Sequence, residues 1–137
     1  MTAGGGSNTN CGTFGCGTVF KLTRTTSGWT ESVLYNFTGA SDGANPRSLV
    51  RDSEGNLYGA ATSGGQSFGG TRFKLSPDGH FTILHSFTGG ADGANPQVGL
   101  VIERLQPVII GAASAGGDPN CKGFGLPGCG VVFAYVP

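Results

Sequence analysis

The chain writes one stretch twice. LYNFTGASDGANPRSLV is followed, about 50 residues later, by LHSFTGGADGANPQVGLV, so that the pentapeptide DGANP stands at residues 42–46 and again at 92–96. The repetition reaches beyond that stretch. GTVFKL at residues 17–22 returns as GTRFKL at 70–75 and loosely as GVVFAY at 130–135, and LYGAAT at 57–62 returns as IIGAAS at 109–114. A fixed period of this length marks a structural unit that buries its faces against neighbouring copies of itself.

Each unit holds short β-type runs separated by Gly, Asp, Asn, Ser and Pro. No window places apolar residues at i, i+3, i+4 and i+7 over three turns. Glycine supplies 27 of 137 residues, which opposes helix. The expected fold is all-β and of β-propeller type, with four-stranded blades of about 50 residues. The tight turns in VRDSEGNLYGA and FKLSPDGHFTILHSF set the strand order. The first strand of the central blade falls at residues 48–52, the second at 56–62, the third at 71–76 and the fourth at 80–88. One complete blade, 48–88, is then flanked by two partial blades, 1–39 and 98–137, within a single repeat domain.

DGANP connects the fourth strand of one blade to the first of the next, and it recurs because the chain crosses twice. Asp42 and Asp92 suit an Asx turn, Gly43 and Gly93 tolerate positive φ, and Pro46 and Pro96 push Asn45 and Asn95 toward extended geometry. Along the strands, Val33, Tyr35 and Phe37 share a face that Ile83, His85 and Phe87 repeat. Phe20 and Leu22 match Phe73 and Leu75. The opposite face, with Val19, Lys21, Arg72 and Lys74, is expected to be wet or to lie at an edge.

GTVFKLT, VLYNFTG, DGANP and LVRDSEGNLYGAATSGG together resemble the Gloeobacter–Verrucomicrobia (GloVer) extracellular tandem repeat, over nearly the whole chain. The resemblance implies a bacterial β-propeller that is secreted or surface-anchored, with no catalytic signature to carry over. The sequence departs from it at residues 103–108, where ERLQPV replaces DSEGN, which leaves the last first-to-second-strand turn open. A closed propeller needs at least about four blades. Two readings follow. The chain is a fragment of a longer protein, or several copies complete one another through exposed edge strands.

The four cysteines, Cys11, Cys16, Cys121 and Cys129, sit in pairs within the loops between second and third strands. The equivalent central loop, SGGQSFGG, is shorter and has none. Three pairings are possible; Cys11–Cys16 and Cys121–Cys129 are expected, each stapling one long hairpin tip. Disulfides imply an oxidising compartment. The alternatives are free thiols or zinc, although C-x4-C and C-x7-C fit the usual zinc spacings poorly.

Strand direction puts the Cys loops and both DGANP loops on one face and the tight turns on the other. Long loops on a rigid scaffold are where binding residues gather, so Asp42, Asn45, Asp92 and Asn95 are candidate binding residues. The alternative is that DGANP is only a connector. Trp29, in TSGWTES near a third-to-fourth-strand turn, is a further candidate that could stack on a sugar; packing is its other role. Calcium at Asp42 and Asp92 would have one carboxylate per loop, which is thin ligation.

Eight acidic and eight basic residues cancel, which argues against nucleic acid and against a polybasic membrane surface. No apolar run reaches the roughly 20 residues of a membrane helix. TAGGGSNTN after Met1 has neither the basic start nor the apolar core of a signal peptide. GxSxG is absent, and His80 and His85 lie outside any metal or nucleophile motif. The sequon NFT at residues 36–38 falls within a strand. No cofactor and no metal is expected. The function expected is a non-catalytic one at the cell surface or outside the cell, adhesive, scaffolding or ligand-binding, with an extracellular glycan, a protein or the chain itself as partner. The competing classes are a self-assembling structural protein completed by strand exchange, and a fragment of an enzyme acting on polysaccharide. A carboxylate pair roughly 5–10 Å apart in a cleft would favour the enzyme.

Overall fold

The computed structural model describes residues 1–97, 99–103, 108–123 and 126–137. Among these residues the fold is all-β, with a single 3₁₀ turn at Gly12–Phe14 and no α-helix. Strands β1 (Thr18–Thr25) and β2 (Gly28–Asn36) form a hairpin, and Thr2 bridges to Thr18. Strands β3 (Ala44–Arg51), β4 (Leu57–Ser63), β5 (Thr71–Leu75) and β6 (Phe81–Ser86) pair antiparallel in chain order as a four-stranded sheet. Strands β7 (Val101–Ile102) and β8 (Ile109–Ala113) begin a third sheet. A small ribbon of β9 (Lys122–Gly123) and β10 (Leu126–Pro127) follows, and β11 (Val131–Tyr135) returns to pair with β8. The central sheet occupies the four runs expected from the hairpin turns. The turn within ERLQPV lies at residues 104–107, outside the described residues. On either side of it the Glu103 N–H donates to the Val108 carbonyl at 2.9 Å, as Asp52 N–H donates to the Asn56 carbonyl at 3.0 Å in the central sheet.

One boundary differs from the sequence expectation. Strand β3 begins at Ala44, inside DGANP, and not at Ser48. Ala44 pairs with Ser63 and Pro46 with Ala61, and the register slips between Pro46 and Ser48. Proline is tolerated here because β3 is the edge strand of its sheet and the slip falls beside the missing N–H.

Aromatic side chains hold the sheets face to face. Phe37 follows β2 and its ring meets Phe73 of β5 edge-on at 5.2 Å. Tyr35 stacks on Phe81 of β6 at 3.8 Å. Fifty positions on, as an interval of about 50 residues requires, Phe87 meets Phe133 of β11 at 5.3 Å. Phe37, Phe73 and Phe87 are all fully buried. The first core cluster joins Cys16, Val19 and Phe37 to Ala61, Phe73 and Leu75. The second joins Tyr58 of the central sheet to Leu100 and Ile109 of the third. The central sheet therefore has a front face against the sheet before it and a back face against the sheet after it.

The back face of the central sheet overturns the expectation of a wet or edge surface. Arg72 is only 9% exposed. Its guanidinium lies over the rings of Tyr135 (4.6 Å) and Phe133 (5.4 Å), and Lys74 lies over Tyr58 (5.6 Å). A flat, weakly hydrated guanidinium can be covered by aromatic rings where a compact ion could not. Burial, the main cause, holds the Arg72 pKa below its usual value. A strand stacked between two sheets has no wet face, so its polar positions are stacked in place.

Within the central and third sheets a phenylalanine lies across a glycine. Gly59 pairs with Phe73, and Gly111 with Phe133. A Cβ at Gly59 would meet the Phe73 ring at 2.2 Å, and one at Gly111 would meet the Phe133 ring at 2.6 Å. The GAA of the second strand and the F of the third thus recur as a pair. Gly59→Ala should lower unfolding stability by about 1–3 kcal/mol. Gly99→Ala, where an added Cβ meets nothing within 4 Å, should stay within about 0.5 kcal/mol. Urea unfolding of the non-reduced protein measures both, and equal effects would show that the ring can move aside.

Candidate functional site

The face built from the DGANP crossings and the loops before β1 and β5 gathers most of the candidate residues. Asp42 is buried there. Its Oδ2 accepts from the Tyr35 hydroxyl at 2.9 Å and the Thr38 N–H at 2.8 Å, while Oδ1 accepts from the Thr38 hydroxyl. Asp92 repeats the arrangement with Thr88 N–H at 2.9 Å, the Thr88 hydroxyl, and His85 Nε2 at 2.9 Å in place of the tyrosine. In place of the expected Asx turn, each carboxylate bonds the threonine of FTG four residues before it. Both oxygens of each carboxylate accept hydrogen bonds from the chain itself.

The two asparagines depart from the expected extended geometry. Asn45 and Asn95 have φ of 54° and 57°, although each precedes a proline. Hydrogen bonds override the local preference, and asparagine tolerates the left-handed region better than other side chains. Asn45 N–H donates to the Cys16 carbonyl at 2.9 Å, and its carbonyl accepts from the Thr62 hydroxyl at 3.2 Å. Asn95 N–H donates to the Gly69 carbonyl at 2.7 Å, and its carbonyl accepts from the Ser114 N–H at 3.1 Å. Pro46 and Pro96 are fully buried beside Gly17 and Gly70, where a Cβ would meet the ring at 2.4 and 2.8 Å. DGANP is a clamp that ties the start of one sheet to the loop of the sheet before it.

The cysteines pair as Cys11–Cys16 and Cys121–Cys129. The first staple packs under Gly39, where a Cβ would lie 2.4 Å from the Cys11 sulfur. Trp29 stands apart from this face. It pairs with Arg24 on the β1–β2 hairpin, at the tight-turn end, and it is 68% exposed. The expected packing role is therefore not what the structure gives it.

Two residues that sequence reasoning passed over stand out on the loop face. Phe14, on the 3₁₀ turn inside the first staple, is 83% exposed, and Phe68, in the unstapled central loop, is 82% exposed. Neither tip is loose. The Phe14 carbonyl accepts from Gly5 N–H at 2.5 Å, and Phe68 N–H donates to the Gly65 carbonyl at 3.3 Å. Phe68 has φ of 58°, a strained setting for a bulky side chain. The available signal was a Phe-Gly step in each loop, at residues 14–15 and 68–69. At the opposite end, a cleft of about 440 Å³ opens between the first two sheets, with Leu34, Leu49, Leu57 and Leu75 inside it and Lys21 and Arg51 as its cations.

The crossings also set the response to pH. Burial raises the Asp92 pKa, but bonds from the Thr88 hydroxyl and N–H and from His85 outweigh it, so the carboxyl sits below its ordinary value. Asp52 is lowered likewise, by bonds from Asn56, Glu54 and Gly55 that outweigh burial. Such carboxyls stabilise the fold above about pH 4, and that contribution is lost as pH falls through the lowered folded values. Burial, the bond to Asp42 and the Asp42 charge push the Tyr35 phenol well above its usual range. Its contribution is complete below about pH 10 and is lost as pH rises beyond that. Urea midpoints measured across pH should form a plateau that falls at both ends. Asp92→Asn should flatten the acid limb and cost about 1–3 kcal/mol at neutral pH. Tyr35→Phe should flatten the alkaline limb.

No curated protein and no solved structure gives a significant match to this chain. A family profile described as the Gloeobacter/Verrucomicrobia repeat matches residues 2–137. The doubled DGANP clamp and the recurring Phe-over-Gly pairs lie within that span, and the match takes in almost every residue. The chain belongs to the Gloeobacter/Verrucomicrobia repeat family.

Proposed function

We propose that the protein is a non-catalytic repeat scaffold that works outside the cell or on its surface and binds an extracellular glycan through its loop face. In this reading the three stacked sheets are successive blades of a propeller-type array. Support for that comes from the chain-order meander of the central sheet and from the contact that recurs between Phe37 and Phe73, then Phe87 and Phe133. Two disulfides favour an oxidising compartment. Asp42, Asp52 and Asp92 each accept hydrogen bonds that close a turn, which favours structural over catalytic work for them.

One observation carries the ligand. Phe14 and Phe68 are held almost fully in solvent by ordered tips on the same face of adjacent sheets. An exposed aromatic ring offers a flat apolar surface to the CH face of a sugar, and a rigid tip loses little freedom on binding. The strain at Phe68 fits a position chosen for presentation over stability. The test is affinity electrophoresis and calorimetry with a panel of soluble bacterial and plant polysaccharides. The wild type should be retarded by at least one of them. Phe14→Ala/Phe68→Ala should weaken that binding about tenfold or more, a loss of about 1.4 kcal/mol or more, whereas Trp29→Ala leaves it unchanged. No retardation by any polysaccharide, or full binding by the double variant, would refute the reading.

A further inference from the structure

The two ends of the stack carry faces that are buried everywhere else. On the back of the central sheet, Val50, Tyr58 and Lys74 stand side by side across three strands, and Ala60 stands beside Arg72. The third sheet covers that surface, and Tyr58, Ala60 and Arg72 are buried. The third sheet repeats the same register on its own back. Val101, Ile110 and Ala134 stand side by side, and Ala112 stands beside Val132. Here the surface is open: Val101, Ile110 and Val132 are 63%, 45% and 76% exposed. Where the covered copy has Lys74 and Arg72, the open copy has alanine and valine. The uncovered face is the more apolar of the two.

The other end carries the complementary surface. On the front of the central sheet Phe73 pairs with Ile83, and Phe73 and Leu75 are buried against the first sheet. On the front of the first sheet, Phe20 pairs with Val33 and Leu22 with Glu31 in the same register. Leu22 and Val33 are 52% and 50% exposed. Alternation along β2 places Trp29 on this same face, toward the tight-turn end. On the third sheet the exposed Val136 extends the back strip toward that same end.

We infer that the back face of the β7–β8–β11 sheet docks on the front face of the β1–β2 hairpin of a second copy of this chain. The occupant follows from the chain itself, because back-on-front stacking is the contact that already joins its own sheets twice. Two different surfaces meet, so the association is head-to-tail and builds a ring or an open filament, not a two-fold dimer. It differs from edge-strand completion, since side chains make the contact and no backbone pairing is exchanged. It stands independently of glycan binding at the loop face. It also gives exposed Trp29 a use that is neither sugar stacking nor packing within its own chain.

Blocking one face at a time tests it. Val101→Glu/Val132→Glu closes the back, and Leu22→Glu/Val33→Glu closes the front. All four positions are exposed, and circular dichroism with urea unfolding checks that both variants fold. In sedimentation velocity the wild type should gain mass with concentration, to two chains and beyond. Each variant alone should remain a monomer. Their equimolar mixture should form a dimer and stop there, because each retains one intact face. A wild type that stays monomeric, a mixture that does not pair, or a front-closed variant that still dimerises would overturn the inference.

Discussion

A carboxylate at the end of the first sheet, and another at the end of the central sheet, fixes where the chain leaves it. Asp42 gathers the Tyr35 hydroxyl and the N–H and hydroxyl of Thr38. The last strand, the FTG corner and the crossing are thereby held in one geometry. The remaining contacts depend on that corner. Gly43 and Ala44 enter the next sheet at a set height, Asn45 reaches back to the preceding loop, and Pro46 lands beside Gly17. Moving the corner by one residue would turn every side chain of β3 to the wrong face. A polar group buried in this way is costly unless satisfied, and here both oxygens are.

Much of this was legible in the sequence, because the information was local or repeated. The hairpin turns placed the four strands of the central sheet. Alternation along β5 placed Phe73 and Leu75 together on a buried face. Along β2 and β6 it failed: the register slips, so Val33 pairs with Phe20 and Ile83 with Phe73 on the front, whereas Tyr35 pairs with Val19 and His85 with Arg72 on the back. The position of each cysteine pair within one loop gave the disulfide partners. DGANP was recognisable as a crossing, although its own strand begins four residues earlier than the turn rules indicate. Asn45 shows why. The residue before a proline prefers extended geometry, but an N–H bond to the Cys16 carbonyl and two side-chain bonds outweigh that preference.

What stayed hidden depends on contacts between sheets. Alternation along β5 says that Arg72 and Phe73 point opposite ways, and it carries no information on what covers each side. Arg72 is covered by Tyr135 and Phe133, rings about 60 residues away in sequence. Phe14 and Phe68 escaped notice for the converse reason. An isolated phenylalanine in a glycine-rich loop reads as a buried anchor, and only the path of the loop reveals a ring left in water. Trp29 is the intermediate case: its place on the hairpin was readable, its exposure was not.

The clamp also bears on how such a chain can change over generations. Asn45 reaches the main chain of Cys16, and Asn95 reaches the main chain of Gly69. The receiving group is a carbonyl in both cases, and a stapled cysteine and a bare glycine serve equally well. A joint formed between backbones does not depend on side-chain identity. Neighbouring units can therefore diverge in their loops, gaining or losing a disulfide or an exposed ring, while the seam between them stays the same. Duplication or deletion of a whole unit carries Asp, Asn, Pro and the Phe-over-Gly pair along together. An array built this way can vary in length and in surface without a compensating change at the junctions.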